Sequence, residues 1–162
     1  MRSATQSRAH AAVLVLSGGL IAGALDIGYA CVFWALKAGV SATRIFQSVA
    51  AGLVGKASFE GGGRTAALGL GLHFFIAGSM SVAYYVVARQ WSVLVRRPVL
   101  CGVAYGILLY VLMNHVVVPL SAAPQGSRDP WWIVLTIVVH MFLIGLPIGL
   151  LSGRAAAEAN QP

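Results

Sequence analysis

The sequence predicts an all-α integral membrane protein, a bundle of four transmembrane helices, and three observations predict it. The chain is 59% hydrophobic and only 9% charged, whereas a soluble domain carries about 25% charged residues. Its mean hydropathy is +0.84. Four stretches reach the roughly 20 apolar residues that one bilayer crossing needs: 11–36, 65–88, 98–118 and 131–152. The 162 residues make one membrane domain.

The first span follows Arg2 and Arg8, as a signal peptide would. Its apolar run is too long for a signal core and contains Asp26, and bulky Tyr29 spoils a lipoprotein cleavage site before Cys31. It reads as an uncleaved transmembrane helix. The connection 37–64 holds an interfacial segment near 41–58. There Ile45, Val49 and Leu53 recur at helical spacing with Phe46 beside them, and Arg44, Gln47, Ser48 and Ser58 take the other faces. That pattern predicts a short amphipathic helix lying in the interface. The alternative is a re-entrant turn packed on the bundle, because Ala50-Ala51-Gly52 and Gly55 permit close approach. Gly61-Gly62-Gly63 then gives a flexible break before the second span.

The second and third spans are joined by the short basic stretch 89–97, which makes them an antiparallel hairpin. Pro119 and Pro124 are expected to end the third span, since proline cannot extend the helical hydrogen-bond ladder. Pro147 is expected to kink the fourth and free a backbone carbonyl. Trp34, Trp91, Trp131 and Trp132 fall at span ends, where an aromatic belt belongs.

The net charge of +7 is distributed as single or paired basic residues at the ends of apolar runs. There they meet lipid headgroups and set topology, so nucleic acid is not the expected partner. With both termini inside, six basic residues face the cytoplasm against five outside, and the arginine-rich 89–97 stretch favours that orientation. Cys31 and Cys101 fall at opposite membrane faces and read as packing residues.

Within the spans, Asp26, His73, Asn114, His115 and His140 are out of place in hydrocarbon. Intramembrane ionisable residues are expensive and face a protein interior. Depth follows from a helical rise of about 1.5 Å per residue, measured from the face that holds the 37–64 and 119–130 connections. Asp26, His140 and His73 then lie roughly 12–15 Å deep, and Asn114 and His115 about 5 Å. All five share one half of the bilayer. Small residues mark helix contacts: Gly19 and Gly23 beside Asp26, Gly69 on the His73 stripe, Gly102 and Gly106 on the Asn114 stripe, and Gly145 beyond His140. This directs Asp26, His73 and Asn114 to the bundle core. His115, near a span end, has the plainer alternative of reaching the headgroups.

An Asp and several His in a low-dielectric core form a protonation-sensitive set. That chemistry suits proton-linked transport or permeation of a small solute. The alternative is a non-catalytic membrane subunit in which these groups are interhelical glue. A haem held by His73 and His140 is the weaker third reading. No cofactor is otherwise expected, no metal-ligand spacing occurs, and no catalytic motif supports an enzyme. A homodimer would help four spans enclose a pathway.

Several stretches carry a family likeness: Gly18-Gly-Leu-Ile-Ala-Gly23, Leu72-His-Phe-Phe-Ile-Ala-Gly78, Tyr84-Tyr-Val-Val-Ala88, Asn114-His115 before Pro119-Leu120, and His140 in a last span ending near Arg154. Over 65–154 the chain resembles the YagU-like family of small bacterial inner-membrane proteins. The resemblance implies histidines at His73 and His140, a polar residue at Asn114, and a link to acid tolerance. The first span and the 37–64 connection depart from that pattern, so Asp26 stands outside the resemblance.

Overall fold

The computed structural model describes residues 4–124 and 126–160; the position of Arg2 lies outside them. Every regular element described is helical. Four helices are long and apolar enough to cross a membrane: α1 (Ala4–Ala38), α3 (Gly62–Ala88), α5 (Pro98–Leu120) and α6 (Pro130–Ala159). Between them lie α2 (Ala42–Val54) with a following 3₁₀ segment Gly55–Glu60, and the short α4 (Ser92–Arg96) inside the basic hairpin. The four-span bundle read from the sequence is therefore the fold.

The bundle is tight at one end and splayed at the other. At the tight end the C-terminal half of α6 packs against α1, α3 and α5. Tyr84, Leu109, Ile144 and Ile148 form its core with Ala22, Ala88 and Ala156. A buried polar tie crosses this core. Ser81 Oγ donates to the Val15 carbonyl at 2.7 Å and accepts from Ser152 Oγ at 2.9 Å. Buried hydroxyls are tolerated in a bilayer when bonded in this way. Tyr105 donates to the Met80 carbonyl at 2.8 Å and so fixes α5 to α3.

Glycines set the helix spacing where the sequence placed them. A Cβ on Gly19 would sit 2.8 Å from Gly78 Cα, and one on Gly23 would press on the Phe74 ring. Gly102 and Gly106 meet the backbone of Gly145 and His140, and Gly69 meets the Phe46 carbonyl. At Gly19, Gly69, Gly102 and Gly106 the obstacle is backbone, so no side chain fits there without moving a helix.

Two helices carry a π turn immediately before a proline. Met113–Val117 precedes Pro119, and His140–Gly145 precedes Pro147. Proline lacks an N–H and its ring collides with the carbonyl four residues back. An extra residue in the turn moves that carbonyl aside, and the helix continues. Hence Pro119 does not end the third span, which runs on to Leu120.

The 37–64 connection also differs from expectation. Gln47 and Ser58, placed on faces other than the apolar stripe, are buried. Gln47 Nε2 donates to the Gly62 carbonyl at 3.1 Å and Thr65 Oγ1 at 3.3 Å, which turns that face of α2 onto α3. At its far end, Gly52 accepts from the Ala122 amide at 3.0 Å. Thus α2 spans the splayed end from the close of α1 to the close of α5. Left-handed glycines, Gly39 (φ 65) and Gly55 (φ 66), bound it on either side. Of the glycine triplet only Gly61 precedes α3, because Gly62 and Gly63 already belong to it.

Candidate functional site

Splaying of the helices leaves a cavity of about 720 Å³, lined from α1, α2, α3, α5 and α6. Small-molecule sites typically occupy 300–1,000 Å³. Asp26, His73 and His140 all line it, from three different helices, at the depth where the bundle closes. Thr136, Ile144, Met80 and Met113 complete the inner wall, and Arg44, Ser48, Ser121 and Ser127 stand among the residues nearer the connections. The layer inferred from helical rise thus exists as one surface.

Each histidine is held by a backbone carbonyl. His73 Nε2 donates across helices to Gly23 O at 2.9 Å, and His140 Nδ1 donates to Thr136 O in its own helix at 2.9 Å. A carbonyl only accepts, so each bond fixes which nitrogen carries the proton. Neutral His73 therefore presents Nδ1, and neutral His140 presents Nε2, as lone pairs. The Tyr110 ring meets His140 edge-on at 5.5 Å and 89°. Asp26 is half-buried, and among the described residues no hydrogen bond reaches its carboxyl. It lies within Coulombic range of His140 and His73.

Asn114 lines the cavity but does not join the Asp–His layer. Its Nδ2 donates to the Tyr110 carbonyl one turn back, at 3.0 Å, leaving Oδ1 as an acceptor. His115 is a correction. It is exposed and lies outside the cavity, turned away by the π turn that carries it. Its ring approaches Tyr110 edge-on at 6.3 Å instead.

The belt assignment also needs correcting at two tryptophans. Trp91 and Trp131 are exposed, as a belt requires. Trp34 and Trp132 instead pack together, ring centres 5.2 Å apart, and line the cavity. Tyr29 stacks on Trp132 at 5.4 Å and 10°, and its hydroxyl lies 3.5 Å from Thr136 Oγ1. Spacing alone marked these residues as span ends and could not show that α1 and α6 bring them together.

Lys37 pairs with Asp129 beside this aromatic group. Asp129 also caps α6 by accepting from the Trp132 amide at 3.0 Å. The Lys37 hydrogen bond and then the Trp132 amide hold the Asp129 carboxyl below the ordinary aspartate range. A depressed folded-state value adds stability above the unfolded value that is lost as pH falls through the folded one. The tie therefore persists further into acid than an ordinary aspartate would allow. Arg44 lies over the Phe59 ring, 4.0 Å from its centre, on the α2 side of the cavity. Among the described residues no group of three or more His, Cys, Asp and Glu is arranged to hold a metal ion.

The site is thus a half-membrane cavity with one acid and two tautomer-fixed histidines at its inner end, in a chain for which no family model, curated protein or solved structure gives a match.

Proposed function

We propose that this protein moves a small solute across the bacterial inner membrane with proton coupling, using Asp26, His73 and His140 as the titrating site. Both termini are then cytoplasmic, and the cavity faces the periplasm. Membership of the YagU-like group, with its link to acid tolerance, is part of the same proposal. The carrying observation is that Asp26 lines a cavity reaching the middle of the bundle while lacking a hydrogen-bond partner among the described residues. A carboxyl retained only as glue would be bonded to the helix it ties, and no such bond reaches Asp26 among the described residues. Solute and proton compete for such a group, which is the coupling a carrier needs.

The test is proton movement in proteoliposomes with an entrapped pH-sensitive dye and an imposed pH gradient. Wild type is expected to dissipate the gradient faster than Asp26→Asn. Equal rates would leave the helix-tie reading in possession of the field. That second reading has its own support in the bond from His73 to Gly23, which joins α3 to α1.

A further inference from the structure

Asp26, His73 and His140, at the inner end of the cavity, share a hydrogen-bonding property. With the histidines neutral, they are all hydrogen-bond acceptors. The Asp26 carboxylate only accepts. His73 and His140 have each committed their N–H to a carbonyl, leaving Nδ1 and Nε2 as lone pairs. Asn114, outside this set, gives one Nδ2 hydrogen to the Tyr110 carbonyl and keeps both Oδ1 and a second N–H. An acceptor-only set leaves an anionic or acceptor-rich solute unpaired, a penalty that sites use to reject ligands. It matches a solute with several N–H donors and positive charge.

The walls describe the rest of that solute. Trp34 and Trp132 supply π faces, which attract cations and pack against rings. Met80, Met113 and Ile144 supply deformable apolar surface. The one permanent cation in the lining, Arg44, is stacked on Phe59 and belongs to α2, on the outer side of the cavity.

We infer that the cavity binds a primary or secondary ammonium carried on an aromatic or aliphatic body, its N–H groups shared between Asp26 and the free nitrogens of His73 and His140. The inference rests on the carrier reading for the site but concerns binding alone. Protons on Asp26, on His73 from α3 or on His140 from α6 all oppose it; α5 presents no charge there, and α2 presents Arg44. Binding therefore strengthens as pH rises, until the ammonium itself loses its proton.

Calorimetry on the full chain in detergent tests this with four naphthalene probes: naphthylmethylammonium, its trimethylammonium counterpart, naphthylacetate and naphthylmethanol. The primary ammonium is expected to bind tightest, and the quaternary form, which has a charge but no N–H, more weakly. Asp26→Asn keeps the shape of the cavity and should weaken ammonium binding about tenfold or more, the scale of a charge-assisted hydrogen bond. Preference for naphthylacetate, equal binding of all four, or unchanged ammonium affinity in Asp26→Asn would overturn the assignment. Proton movement without ammonium binding would sink the solute class and leave the carrier. Ammonium binding that depends on Asp26, without proton movement, would do the reverse.

Discussion

Two histidines that look alike in the sequence hold different positions in the hydrogen-bond economy of the bundle. His73 bridges helices, so its loss leaves the Gly23 carbonyl with only its intrahelical partner; His140 bonds within its own helix. Asp26 has no such bond among the described residues. The two roles separate in a melting experiment in detergent. His73→Phe is expected to cost about 1 kcal/mol, the net worth of a typical hydrogen bond. Asp26→Asn should leave the midpoint unchanged or raise it, because it removes charge and breaks no bond. A large loss in Asp26→Asn would place that carboxyl among the helix ties. These roles were half legible in advance. Residue type and depth singled out Asp26, His73 and His140. The span-end position of His115 already offered the headgroups as its alternative, whereas nothing local could reveal that Asn114 turns back on Tyr110.

At the scale of elements, the legible and the hidden divide along the period of the chain. Length and hydropathy fix the four spans, because a bilayer admits few other solutions for such runs. The glycine steps marked the contact faces, since three- and four-residue spacing maps directly onto a helix face, but not that α1 pairs with α3 and α5 with α6 there. Both π turns escaped, although their prolines were noticed. A proline states that the ladder must change and leaves open whether the helix ends, bends or takes an extra residue. The orientation of α2 escaped as well. Its apolar stripe fits lipid and cavity equally, and only Gln47 reaching Gly62 and Thr65 settles which face meets α3. The prediction here concerns Gly106, where a Cβ would run into the His140 carbonyl. Gly106→Ala should destabilise by about 1–3 kcal/mol, the usual cost of overpacking. It should also weaken ammonium binding by shifting the π turn that carries His140. Gly28→Ala, where a Cβ meets open space, is the neutral control.

Across the whole molecule, the two ends of the bundle have opposite characters. One end is sealed by the Ser81–Ser152 tie and held at its surface by Asn160, which donates to the Arg89 carbonyl at 3.2 Å. The other holds the cavity beneath α2. Cysteine labelling with a membrane-impermeant maleimide, after Cys31 and Cys101 are replaced by alanine, reads this asymmetry. Ser48→Cys and Ser121→Cys are expected to label from one face only, the periplasmic one if both termini are cytoplasmic. Ser152→Cys should stay silent from both. Labelling at Ser152 would show that water reaches the end described as sealed.

The glycine contact between α5 and α6 has a mechanical consequence. Most helix pairs interlock side chains like teeth, and relative motion must lift each tooth over the next. Gly102 and Gly106 meet Gly145 and Gly149 backbone to backbone, with no teeth on either side. Such a seam resists separation, because the surfaces fit closely, yet offers little resistance to sliding along its length. The place where the bundle is shut hardest is thus also a smooth bearing, next to the turn that carries His140.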